Sequence, residues 1–107
     1  MTLTRDSIET VNARLQTDSA FATALLNEAI LLFLNGEPET ARLILRELVN
    51  ATVGFEELAS QTSKPSKSLH RMLSAKGNPT MDNLTNIINV LRKNLNVDIQ
   101  VNTVSCA

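Results

Sequence analysis

Apolar residues recur along most of this chain at helical spacing, in blocks separated by glycine, proline and small polar residues. The first block, Ile8, Val11 and Leu15, follows capping oxygens in Thr4-Arg5-Asp6-Ser7 and predicts one short amphipathic helix. Asp18 or Ser19 caps the next, Ala20 to Leu34. It is apolar on nearly all sides through Phe21, Leu25, Leu26, Ala29, Ile30, Leu32 and Phe33. Such a helix needs neighbours around it or a second subunit over one face. Gly36 is a left-handed terminator, and Glu37-Pro38 restarts a helix with proline in its first turn. Ala41, Ile44, Leu45, Leu48 and Val49 form the inward stripe of that helix, with Arg42, Arg46 and Glu47 outward. It should end near Ala51, and Gly54 leads into the next segment.

Phe55 to Ser74 reads as a helix, a tight turn and a second helix. Leu58 and Ala59 lie on the inward face of the first, and Ala59 is small enough for a crossing helix to approach closely. In the second, Leu69, Met72 and Leu73 are spaced i, i+3, i+4, and the opposite face carries Ser66, Lys67, His70 and Arg71. Ser63-Lys64-Pro65-Ser66 supplies the break, because proline disfavours helix at the residue before it and suits the first turn of the helix after it. Lys76-Gly77-Asn78-Pro79 stops the second helix. Thr80 then caps a third, with the stripe Met81, Leu84, Ile87, Ile88, Leu91 and Leu95. From Val97 the period changes: Val97, Ile99 and Val101 alternate with Asp98, Gln100 and Asn102, which predicts a short strand.

Composition agrees with a helical core. Of 107 residues 43% are apolar, but there is no Trp or Tyr and there are only three Phe, so the core must be built from Leu, Ile, Val and Ala. The length suits one compact domain, with an N-terminal helical region over residues 1–53 and a second region over 54–107. The net charge of −1 hides an asymmetry. Residues 1–54 carry four basic and seven acidic side chains, residues 55–107 six basic and four acidic, and Thr62 to Asn78 holds Lys64, Lys67, Arg71 and Lys76 with no acid. A local acid-free stripe is what phosphate neutralisation needs.

With these residues in view, the order Glu-Glu-Leu-Ala, a four-residue turn, Lys-Ser-Leu-His-Arg-Met and then Gly77-Asn78-Pro79-Thr80 resembles the helix-turn-helix of the phage-repressor (Cro/C1, or XRE) superfamily. More narrowly it resembles the antidote (antitoxin-like) proteins of addiction modules, which join such a domain to a short helical N-terminal region. The resemblance covers about half the chain strongly and the N-terminal half in outline. It implies an all-α fold, here a bundle of five to six helices with a phage-repressor-like helix-turn-helix and the short C-terminal strand. Ala59 takes the place of the small crossing residue, and Leu69 and Met72 that of inward anchors. The chain departs from the pattern at Ser63, where glycine is usual, and at Thr62 and Lys64, where apolar residues are usual.

The resemblance also implies a face for double-stranded DNA, with the second helix of the pair in the major groove. Pro65, Ser66, Lys67, Ser68, His70 and Arg71 would face it. Arg71 is the first choice for reading guanine, since a guanidinium bonds O6 and N7 together; Lys67 and His70 are second choices, and Ser66 and Ser68 suit bases or phosphates. Lys64, Lys76, Asn78 and Thr80 would contact phosphates. The expected function is a sequence-specific transcriptional regulator, the antitoxin and autorepressor of a toxin–antitoxin module, binding its operator as a homodimer. The alternative is a protein-interaction module that sequesters a small basic toxin on its acidic half, the helix-turn-helix serving as scaffold.

Enzymatic chemistry finds little material. His70 and Cys106 are the only residues of their kinds, which argues against a metal cage or a Cys-His pair and leaves no catalytic set, no metal site and no cofactor expected. Glu56 and Glu57 are adjacent and point about 100° apart on a helix, so first-turn acids are the simpler account. One cysteine precludes an intramolecular disulfide, which fits a cytoplasmic location. No secretory signal pattern opens the chain, and Phe21 to Leu34 is shorter than the roughly 20 residues a bilayer span takes, so no membrane partner is expected.

Overall fold

The computed structural model describes residues 19–106. Among them are five α-helices: α1 (Ser19–Leu34), α2 (Pro38–Ala51), α3 (Phe55–Thr62), α4 (Ser66–Met72) and α5 (Met81–Leu95). The architecture is all-α and compact. The helix expected around Ile8 to Leu15, and Asp18 as a cap, lie outside the described residues.

Three of the helices end in the same way. Gly36, Ser63 and Asn96 take positive φ, and the amide of the following residue reaches back five positions, Glu37 to Leu32 (2.8 Å), Lys64 to Ala59 (3.3 Å) and Val97 to Arg92 (3.1 Å). This left-handed stop satisfies carbonyls that a helix end leaves open. The short links it permits let α1 and α2 pack together, α3 pack on α2, α4 and α5, and α5 also reach α1. One core results, from Leu26 of α1, Leu45, Leu48 and Val49 of α2, Phe55 and Leu58 of α3, Leu69 and Leu73 at α4, and Ile87 and Leu91 of α5. Among the described residues no polar or charged side chain is buried.

Two apolar stripes differ from expectation. Met81 is 82% exposed, because it opens α5 and the first turn overhangs the core that Ile87 and Leu91 reach. In α1 the fully buried residues are Ala22, Leu26 and Ala29, while Leu31 and Leu34 near its end stay exposed.

The C-terminal strand does not form. Residues 97–106 join no ladder, since a strand needs a neighbour's row of donors and acceptors and no described segment offers one. The alternation has another use: Val97 and Ile99 pack half-buried against the core, with Asp98 and Gln100 outward. Arg92 holds this segment, its Nη1 donating to Asp98 Oδ1 (3.1 Å) and Val97 O (3.5 Å) while Nη2 donates to Asn89 Oδ1 (2.9 Å).

Candidate nucleic-acid interface

The basic segment is presented by a short helix that cannot stand alone. Seven residues are too few for a stable helix in water, so α4 depends on its packing. Leu69 and Leu73 are 1% and 0% exposed and Met72 is half-buried. Burial at roughly 1.5–3 kcal/mol per large aliphatic side chain fixes which way α4 faces. Leu69 and Leu73 are four residues apart; so are Lys67 and Arg71, which therefore share the opposite, exposed face. Lys64 before the helix and Lys76 after it are exposed as well.

The entry to α4 is set by α3 and its stop. Glu56 and Glu57 occupy the first turn of α3, where acids suit the helix dipole, and Glu57 Oε1 accepts a 2.8 Å bond from Gln61 Nε2. This gives both carboxylates a structural use. Ser63 closes α3 at φ 55°, ψ 36°, and Pro65 follows in extended geometry (φ −62°, ψ 139°) with its carbonyl accepting from Leu69 N at 3.2 Å. The left-handed residue and the extended proline together turn the chain from α3 into α4.

The exit is more tightly held. Ser74 N and Ser74 Oγ both donate to Arg71 O, at 3.2 and 2.7 Å, and Gly77 N donates to Ser74 O at 3.0 Å. A β-carbon at residue 77 would lie 2.3 Å from Met72 O and 2.5 Å from Arg71 O, so only glycine fits this turn as it stands. From α2, Arg42 donates Nε to Ser74 O (3.0 Å) and Nη2 to Ala75 O (2.8 Å). Nothing in the periodicity pointed to this contact: Arg42 is on the outward side of its own helix, and its partners lie more than 30 residues on.

The proposed contact residues thus divide. Lys64, Lys67, Arg71, Lys76 and Asn78 are exposed. Ser66 and Ser68 are half-buried at the start of α4. His70 is half-buried and stacked on Phe55, with ring centroids 3.7 Å apart and planes 19° from parallel. That stack ties His70 to the core residue that opens α3. Thr80 is committed as the cap of α5, its Oγ1 accepting from Asn83 N at 3.1 Å.

Among the described residues none of Lys64, Lys67, Arg71 and Lys76 is in an ion pair, and Thr62 to Asn78 contains no acid. Like charges four apart on a helix repel by a few tenths of a kcal/mol, roughly 0.2–0.5. An anionic ligand would relieve that repulsion. No helix among the described residues is long and apolar enough to cross a membrane, and no three of their His, Cys, Asp and Glu side chains converge as metal ligands would. No protein-family model matches the chain, and neither a curated protein nor a solved structure matches it.

Proposed function

We propose that the chain is a sequence-specific DNA-binding transcriptional regulator in which α3 and α4 form a phage-repressor-like helix-turn-helix, with α4 as recognition helix. One observation carries the reading: four exposed cations unpaired among the described residues, Lys64, Lys67, Arg71 and Lys76, on and beside a short helix whose other side is anchored by Leu69 and Leu73. In this reading Arg71 reads a guanine, Lys67, Ser66 and Ser68 contact bases or nearby phosphates, and Lys64, Lys76 and Asn78 grip the backbone. His70 and Thr80 contribute mainly by holding the face in place, one through its stack on Phe55 and the other as a cap. A palindromic operator would be met by a homodimer, with recognition helices about 34 Å apart if the half-sites lie one helical turn apart.

The residue pattern of residues 55–80 further supports membership of the addiction-module antidotes, with an adjacent gene encoding a small basic toxin and this chain repressing its own promoter. The acidic N-terminal half is the surface for that toxin.

Arg71→Ala tests the reading. Fluorescence anisotropy with a duplex from the gene's own upstream region and a scrambled duplex should show discrimination falling by about 1–3 kcal/mol, while helical circular dichroism stays unchanged. Equal discrimination in wild type and variant removes Arg71 from readout. Failure of the wild type to bind its upstream DNA at low salt removes the function.

A further inference from the structure

We infer that Arg42, on α2, is a positioning residue for the recognition helix: its guanidinium fixes the exit turn of α4 and so sets where Arg71 and Lys76 stand. This rests on the DNA-binding reading and adds to it a residue from the other half of the chain.

Chain leaving a helix carries carbonyls that no helical ladder satisfies, and Ser74 and Ala75, in the turn that follows α4 (Ser66–Met72), are two such residues. Arg71 O is taken by Ser74, through both amide and hydroxyl. Ser74 O receives Gly77 N and Arg42 Nε, and Ala75 O receives Arg42 Nη2. The planar guanidinium thus spans two successive carbonyls from one rigid fork, a geometry that a lysine ammonium does not reproduce. Meanwhile Gly77 brings the chain against the backbone of Arg71 and Met72. The turn is clamped on one side by close backbone approach and on the other by Arg42. Lys76 lies inside that clamp, and Arg71 supplies one of its acceptors.

Arg42 is held in turn by its own helix, since Ala41 and Leu45 beside it are fully buried. The packed α1–α2 pair is therefore linked through two hydrogen bonds to the turn that leaves the proposed reading helix. A phosphate contact would have used the same cation differently, and the two uses can be told apart.

The test uses the chain of 107 residues with Arg42→Met, which keeps an apolar stem, and Arg42→Lys, which keeps the charge. Amide hydrogen exchange is followed at Ser74 and Gly77, and anisotropy measures affinity for upstream and scrambled duplexes across a salt series. In Arg42→Met the Ser74 and Gly77 amides should exchange at least tenfold faster, with core amides of α2 and α5 unchanged. Affinity for the upstream duplex should fall about tenfold with the same salt slope, and Arg42→Lys should restore only part of both. Unchanged exchange at Ser74 and Gly77 overturns the inference. So does a salt slope reduced by about one with exchange unchanged, which would make Arg42 a phosphate contact. Faster exchange in Arg42→Met with no DNA binding by the wild type supports the clamp and overturns the DNA reading alone. Exchange that rises everywhere signals global destabilisation, and the Arg42→Lys exchange pattern then decides: local acceleration at Ser74 and Gly77 supports the clamp, and none overturns it.

Discussion

Ser63 carries a β-carbon through a conformation in which glycine meets no steric penalty. Its φ of 55° and ψ of 36° lie in the left-handed region, where an L-residue's β-carbon crowds the following carbonyl at a cost of about 1–2 kcal/mol. Glycine removes that crowding but brings extra unfolded-state freedom, which offsets roughly 0.5–1 kcal/mol of the gain. Ser63→Gly should therefore stabilise the chain by up to about 1.5 kcal/mol, seen as a higher urea midpoint at unchanged slope. A lower midpoint would mean that the serine hydroxyl contributes more than the strain removes. At Gly77 the sign reverses. An alanine β-carbon there would lie within 2.5 Å of two backbone carbonyl oxygens, which cannot swing away as a side-chain end can. Gly77→Ala should cost about 3 kcal/mol in the same measurement, at the upper end of ordinary overpacking. A loss under about 1 kcal/mol would show that the exit turn yields easily and would weaken the clamp formed with Arg42.

At the scale of elements, what could be read in the sequence follows from how local each determinant is. The five described helices were visible because their inward residues recur every three or four positions and their ends carry Gly36, Pro38, Gly54, Pro65 and Thr80. The outward placement of Lys67 and Arg71 opposite Leu69 and Leu73 was legible for the same reason. Periodicity gives a direction and no depth, however. Met81 matches the stripe of α5 yet overhangs its core, and Val97 to Val101 alternates without a ladder because extended chain lying on a core needs the same alternation. The contacts that hold the candidate face in place, Arg42 on Ser74 and Ala75 and Phe55 on His70, join residues distant in sequence and leave no periodic trace. Since α4 is held by packing, its anchor should matter more than its charges for folding. Leu69→Ala should cost about 2–5 kcal/mol in urea unfolding, whereas Arg71→Ala, at an exposed site, should change stability by less than about 0.5 kcal/mol. Comparable losses from the two would mean that the cations are part of the fold, and the case for a ligand-binding face would lose its main support.

For the whole molecule the decisive quantity is how many cations act together. The chain's net charge of −1 gives no general attraction to a polyanion, so any DNA affinity must come from the local stripe. If Lys64, Lys67 and Lys76 meet phosphates while Arg71 reads a base, each protomer neutralises three phosphates. Counterion release then gives a slope of log affinity against log salt of about −3 for one protomer and about −5 to −6 for a two-fold pair. Arg42 adds nothing to this number if it is spent on carbonyls. The acidic N-terminal half opposes binding at long range, but beyond a screening length of about 8 Å at physiological salt that opposition fades. The slope therefore reports the contacts and, through its doubling, the oligomeric state on DNA. It should be measured with sedimentation of the free chain at tens of micromolar, because a dimer formed only on the operator and one formed beforehand share a slope but differ in mass. A slope near −3 with a monomer in solution would leave one recognition helix per site and remove the palindrome. A slope shallower than about −2 is too small for the stripe to be gripping phosphates, and would shift the function toward the protein partner that the acidic half could hold.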